Sequence, residues 1–412
     1  MTHRTKIFIS ALCLSASLSY AEPAYDLSQL EALALESNRA ILAARDQVSA
    51  ARFAVDSAAA FPNPELEYLS GTTRSRGPAG NPGDARSATL TQPLDLPWRR
   101  TARIGAAEAG LEAVGAGARA FEADILALLR GRYFEVLRRE AELSNALEDA
   151  ALMESVRSRI SLRVETGEAP RFELIKSDAE MLNAQKTAQA ASFRVEQARS
   201  LLRQAVGSAL PPEFKLTSRF RDVPALTPLN QVREQIATSS PGLMRARAET
   251  VRAERQLELE RSLRWPDVAL KAAVNEDPEM RASQFGVVVS IPLWDRRKGP
   301  VGEAAAQLSR ARNELESQGF SLAKALEVAY QQYEIAQTQV TALESGIVRQ
   351  AEAALKVAES AYRFGERGFL EVLDAQRVLR ASRAELIAAR FERASAWVEI
   401  ERLRATPGGS KQ

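Results

Sequence analysis

The 412 residues are 45% hydrophobic and 26% charged, with a formal net charge of +2, one cysteine and one histidine. So balanced a charge exerts no general pull toward nucleic acid. A single histidine and a single cysteine put the usual zinc, copper and haem ligand sets and histidine-assisted nucleophiles out of reach, so neither an enzyme nor a bound cofactor is expected.

Residues 1–21 read as a secretory signal peptide. Arg4 and Lys6 precede a mostly apolar run from Ile7 to Leu18, and Ser19-Tyr20-Ala21 forms a small-x-small cleavage signal. His3 and Cys13 both fall inside it, so the exported chain would carry neither. Leu12 stands before Cys13 where lipoprotein processing needs a small residue, and no lipid attachment is expected. Losing Arg4 and Lys6 takes Lys+Arg from 55 to 53, equal to the 53 of Asp+Glu.

From Asp26 to Ala60 the chain is rich in Ala, Leu and Glu and free of proline, which predicts one helix ended by Pro62 and Pro64. Between Pro64 and Trp98 the period becomes two. Leu66, Tyr68, Ala88, Leu90, Leu94 and Leu96 fall on one side, and Glu65, Glu67, Thr89, Thr91 and Asp95 on the other. A Gly/Pro/Ser/Arg-rich loop over 71–86 divides this region into two strands. Arg99 to Thr166 then contains no proline and predicts a helix of about 100 Å, too long for a globular core and therefore packed as a coiled coil.

The second half repeats the first. Pro64, Trp98 and Gly167 return as Pro266, Trp294 and Gly365, each about 200 residues later, far beyond the roughly 20–50 residues of a solenoid unit. Val268, Leu270, Ala272 and Val274 form one apolar row; Phe285, Val287, Val289, Ile291 and Leu293 form another. Asn275-Glu276-Asp277-Pro278 is the turn between them. Val301 to Phe364 again lacks proline. Seams are expected along Ile347, Ala351, Ala354, Ala358 and Ala361, and along Val372, Ala375, Leu379, Ser382, Leu386 and Ala389. Gly167 and Gly365 interrupt the helical pattern as C′ glycines at hairpin turns. The organisation is a first repeat over 22–207 (strands about 64–96, tip near 167), a linker over 208–229, a second repeat over 230–405 (strands about 266–294, tip near 365) and a tail over 406–412.

Candidate chemistry is sparse. Met153, Met181, Met244 and Met280 show no ligand spacing and read as gap-filling or loop residues. Carboxylates alternate with arginine, as in Arg138-Arg139-Glu140, which is how solvated helix faces look. No glycine-rich phosphate loop follows a strand. The strands alternate apolar-out and polar-in as membrane strands do, yet one chain has too few to close a barrel, and three chains would supply twelve. Trp98 and Trp294, each followed closely by an arginine pair, fit an interfacial girdle where the strands end. A soluble β-sandwich cap with ordinary edge charges is the competing reading of these strands.

Taken together these features resemble the TolC-type outer-membrane efflux channels over nearly all of the exported chain. The most specific stretch is Tyr362-Arg363-Phe364-Gly365-Glu366-Arg367-Gly368-Phe369-Leu370-Glu371-Val372-Leu373-Asp374-Ala375-Gln376, with a weaker twin over Val164-Glu165-Thr166-Gly167-Glu168-Ala169-Pro170-Arg171-Phe172-Glu173-Leu174. The resemblance implies a mainly α fold with a small β part: a homotrimer whose four strands per chain close a twelve-stranded β-barrel in outer-membrane lipid, continuing into an α-helical barrel in the periplasm. Residues 208–229 become its equatorial linker. It implies a passive exit duct coupled to a periplasmic adaptor and an inner-membrane efflux pump. It also implies a periplasmic gate, with Glu371 and Asp374 as an acidic ring that attracts cations and Tyr362 and Arg367 locked to Glu173 across adjacent coiled coils. Gly167 and Gly365 mark the adaptor-docking tips. Leu90-Thr91-Gln92-Pro93-Leu94-Asp95-Leu96 and Arg99-Arg100-Thr101-Ala102-Arg103-Ile104 resemble the heavy-metal cation-efflux branch, although that branch usually carries Gly-Gly-Lys-Arg where this chain has Pro97-Trp98-Arg99-Arg100. An exit duct for type I protein secretion or for organic compounds stays open. Of other classes, a periplasmic adaptor should have one hairpin flanked by lipoyl-like halves, and a coiled-coil scaffold would not explain the strands.

Overall fold

The computed structural model describes residues 23–74, 81–217, 220, 223, 224 and 226–404. The signal peptide with Cys13, part of the linker and the tail lie outside them.

The first repeat opens with β1 (Ala24–Tyr25), α1 (Leu27–Ser37) and α2 (Arg39–Ala59). The single helix expected over 26–60 is thus two. Asp26 starts α1 with a capping box closed by Gln29. Asn38 then leaves the helical region at ψ 115° and recaps α2, its side chain accepting from the N–H groups of Ala40 and Ile41. Its amide donates to the carbonyl of Ala205 at 2.7 Å, so a contact distant in sequence fixes the break.

Strands β2 (Glu65–Thr73) and β3 (Gly83–Pro93) follow, closer together than the loop expected over 71–86. Helix α3 (Pro97–Glu165) begins on Pro97, whose fixed φ suits the first helical position, and runs unbroken for 69 residues, about 100 Å. It turns at Gly167 into α4 (Arg171–Val206). β4 (Lys215–Leu216) pairs in parallel with β1 and ties the linker to the start of the chain.

The second repeat has α5 (Leu229–Ser239), α6 (Pro241–Ser262), β5 (Asp267–Glu276), β6 (Arg281–Ser290), α7 (Lys298–Ala342), α8 (Val348–Arg363) and α9 (Phe369–Arg404). A π turn over Leu343–Ile347 joins α7 to α8 without ending the helix. Its extra residue moves the buried stripe. Val340 and Leu343 are followed on the same face by Val348, Ala351, Leu355 and Tyr362. Of the expected seam, Ala351 is buried and Ala358 half-buried, whereas Ile347 and Ala354 are exposed and their neighbours Val348 and Leu355 are buried instead. On α9 the expected seam holds, with Val372, Leu379, Ser382, Leu386 and Ala389 all buried.

Packing follows from length. Toward the strands α3 lies against α2 and α6; toward the tip it lies against α4 and α9. Alanines at Ala109, Ala113, Ala116 and Ala120 of α3 and at Ala184, Ala188 and Ala191 of α4 let the helices approach closely. The buried residues form successive clusters along the molecule. One holds Leu129, Tyr133 and Phe134 against Leu202, Phe214 and Trp397; another, toward the tip, holds Met153, Ile160, Leu343, Leu355, Phe369 and Val372. Arg130 and Glu31 pair at 2.6 Å within the first, both about nine-tenths shielded. Among the described residues no helix is apolar and long enough to cross a membrane, which leaves the strands to be considered.

Candidate functional site

The four long strands form one antiparallel sheet in the order β2-β3-β5-β6, joining a hairpin from each repeat. They are 9, 11, 10 and 10 residues long, and a tilted strand needs about 9–11 to cross a bilayer. The register aligns Leu66 with Leu90, Leu90 with Ala272, and Ala272 with Phe285. Adjacent cross-strand sets add Tyr68, Ala88 and Val274 on one side and Leu270 and Val287 on the other. The rows expected from each half of the sequence are therefore one continuous apolar face, and nothing among the described residues covers it: Phe285 is 78% exposed. The opposite face carries Glu67, Thr89, Lys271 and Gln284, with Ser87 donating to Asn275 across the strands at 2.7 Å. A half-solvated sheet in water turns its apolar face inward. This sheet has its greasy side out and the hydroxyl of a buried Thr89 on the other, contrary to a sandwich cap.

Where the sheet meets the helices, Trp98 and Trp294 are both exposed, as is Trp265. Arg99 pairs with Asp267 and donates to the carbonyl of Trp265 at 2.9 Å, while Arg100 and Arg103 share Asp95 at 3.2 and 2.7 Å. Arg100 also lies 4.1 Å from the centre of the Phe61 ring. Burial holds the Arg99 pKa below its usual value, with the charge of Arg297 acting in the same direction.

At the far end both hairpins turn by the same device. Gly167 at φ 78° and Gly365 at φ 76° occupy the left-handed region that glycine tolerates. Glu168 N–H donates to Arg163 and Gly167 N–H to Val164; Glu366 N–H donates to Ala361 and Gly365 N–H to Tyr362. Each is a Schellman motif, repeated atom for atom in the two copies. Next to these turns Tyr362 donates its hydroxyl to Glu173 at 3.2 Å, within one chain and between the two hairpins. Burial raises the Tyr362 pKa, and the Glu173 carboxylate adds to the rise. Arg367 is not part of that contact: it donates to Glu371 at 3.0 Å along its own helix start. Glu371 and Asp374 are both exposed on the first turns of α9.

The sequence reading missed the remainder of this region. Arg163 stacks over the Tyr362 ring at 4.8 Å. Further along, Asp149 of α3 accepts from a buried Gln376 at 2.6 Å and pairs with Arg380 at 3.0 Å, and Glu148 pairs with Arg383 at 3.0 Å. These lie beside a groove of about 450 Å³ between the hairpins. The signal available was only that Gln376 interrupts the apolar seam of α9. Among the described residues no three metal-ligating side chains come together.

An outward apolar sheet of bilayer height, an aromatic and basic collar beneath it, and paired helices of about 100 Å with polar tips define one protomer's share of a β-barrel and helical-tunnel channel. VceC of Vibrio cholerae superposes on the chain with a TM-score of 0.75 at 19% identity, over 92% of this chain and 95% of VceC. The chain belongs to the outer membrane efflux protein family, whose profile matches it twice, over residues 30–208 and 232–406. It is thus an outer-membrane efflux channel. The cobalt-zinc-cadmium resistance protein CzcC of Cupriavidus metallidurans is 26% identical over 373 residues, 90% of this chain and 88% of CzcC. The nickel-cobalt-cadmium resistance protein NccC of Alcaligenes xylosoxydans xylosoxydans is 26% identical over 310 residues, 74% of this chain and 69% of NccC.

Proposed function

We propose that three copies of this chain form the passive exit duct of a tripartite system that expels divalent heavy-metal cations, docked through its tips to a periplasmic adaptor and an inner-membrane pump. The observation that carries the duct is the sheet. Its apolar face is open, and among the described residues strands β2 and β6 have a neighbour on one side only. Pairing β2 of one protomer with β6 of the next removes both edges and closes a barrel, the form in which strands satisfy their backbone in lipid. Repeats 22–207 and 230–405 then each supply two strands and one hairpin, with 208–229 between them at the equator and 1–21 directing export. Trp98 and Trp294 form the lower girdle.

At the entrance, Glu173 and Tyr362 hold the second hairpin to the first, Arg367 steadies Glu371, and three copies of Glu371 and Asp374 draw cations to the axis. Gly167 and Gly365 present the adaptor-docking turns. The heavy-metal cargo rests on the likeness to CzcC and NccC, and selection falls to the pump, since a duct need not bind its cargo tightly.

Two measurements test this. The detergent-corrected mass of protein extracted from outer membranes should be that of a trimer; a water-soluble monomer overturns the duct. Deleting the gene should lower tolerance to cobalt, zinc or cadmium. Unchanged metal tolerance with new sensitivity to organic compounds transfers the cargo to the organic class.

A further inference from the structure

The two repeats treat the basic residues of the collar differently. In the first, Arg99, Arg100 and Arg103 each have a carboxylate partner, Asp267 for the first and a shared Asp95 for the other two. In the second, among the described residues, only Arg297 finds a carboxylate, Glu260 at 2.6 Å. Its neighbours Arg296 and Lys298 are exposed, and neither side chain has an ion-pair partner among the described residues. Arg264 adds to the positive side of this corner, donating to the carbonyl of Arg296 at 3.2 Å.

The backbone here is fixed. Arg297 has φ 53°, the one non-glycine residue with positive φ among the described residues. Asp295 accepts from the Arg297 N–H at 2.8 Å. A side-chain-bearing residue persists in the left-handed region only where its surroundings hold it there. The unpaired cations therefore flank a braced turn. Beside it Trp294 is 94% exposed, and the exposed Ile291 and Leu293 lead to it from the apolar face of β6.

An exposed indole next to unpaired cations is costly to explain in water but stable at headgroup depth, where the ring straddles the interface and the cations meet phosphate. We propose that Arg296 and Lys298, with Trp294, bind the phosphate headgroup of an anionic phospholipid in the periplasm-facing leaflet of the outer membrane. The site belongs to the second repeat alone, so each protomer would hold one such lipid. The proposal rests on the channel reading, which places this collar at the lower membrane surface.

The test uses full-length protein reconstituted in phosphatidylcholine with increasing brominated phosphatidylglycerol, or with brominated phosphatidylcholine as the neutral control. The readout is quenching of Trp294 fluorescence, isolated by subtracting the Trp294→Phe signal. Wild type should favour the anionic lipid, and Arg296→Gln/Lys298→Gln should lower that preference at least fivefold, about the worth of one cation near an anionic surface. Raising salt should produce the same fall. Removing instead two α4 cations that have no ion-pair partner among the described residues, Lys186→Gln/Arg194→Gln, should leave it unchanged. Equal quenching by both lipids in wild type, or an unaltered preference in the collar variant, overturns the site while leaving the channel intact. No quenching by either lipid would show that the sheet is not in a bilayer, and would overturn the channel reading itself.

Discussion

Phe285 offers the sharpest test of which way the sheet faces. It lies in the middle of β6, is 78% exposed, and ends the cross-strand row Leu66, Leu90, Ala272, Phe285. If that row faces lipid, Phe285→Arg sets a guanidinium near mid-bilayer, where arginine on a barrel exterior costs about 2–4 kcal/mol. At about 1.4 kcal/mol per factor of ten, folding into lipid becomes roughly thirty-fold to several-hundred-fold less favourable. If the row faced water, exchanging an exposed phenylalanine for arginine would stay within about 0.5 kcal/mol. Gln284→Arg, one residue away on the other face, is the internal control and should cost no more than about 1 kcal/mol. Urea titration of folding into phospholipid vesicles, followed by tryptophan emission and resistance to protease, gives both numbers. Equal midpoints for the two variants would refute the assignment of faces.

Other outcomes are expected elsewhere. Glu31→Ala should destabilise by about 3–5 kcal/mol in thermal or chemical unfolding, because it strands the buried Arg130; a loss under about 1 kcal/mol would mean water reaches the pair. Tyr362→Phe removes a donor to a carboxylate, worth about 1.5–3 kcal/mol when shielded, and should raise the resting conductance in planar bilayers. The Tyr362 pKa is raised above 10.0, so the neutral donor persists throughout the range below that value. The contact, and any stability it supplies, is lost as pH rises through the elevated value. A conductance step centred below pH 10 would count against this tyrosine. Glu371→Gln with Asp374→Asn should move the reversal potential in a KCl gradient toward zero, and an unmoved potential would place the cation-attracting ring elsewhere.

What could be read from the residues alone depended on how local the cause was. The long helices and the alternating strands are written in period and in proline placement, and the duplication in landmarks that recur. The break at Asn38 is only half local: its side chain caps α2, but its amide is also held by the carbonyl of Ala205 in another helix, which spacing does not reveal. On α8 the expected seam kept Ala351 but lost Ile347 and Ala354 to Val348 and Leu355, because a π turn leaves no compositional mark, only a shift in which residues become buried beyond Leu343. At the tip, Tyr362 and Glu173 do meet, but Arg367 finds a nearer carboxylate in Glu371. An arginine with several acids in reach cannot be assigned a partner from spacing. Asp149 and Gln376 were invisible because their meaning lies in a contact between hairpins.

The pairing of β3 with β5 has a consequence for how the molecule is made. Leu90 lies opposite Ala272, so the middle of the sheet is stitched from segments almost half the chain apart. Contacts so distant in sequence form late, after the loop-closure entropy of everything between them has been overcome. Until α6 and β5 have emerged, the β2–β3 ribbon is two strands with both edges bare and an apolar side in water, an arrangement that is marginal alone and prone to sticking. The helices, built from near neighbours, can form meanwhile. The shaft also closes late, because α3 packs on α9 and Asp149 reaches Arg380, so head and shaft are both completed only when the second repeat is in place.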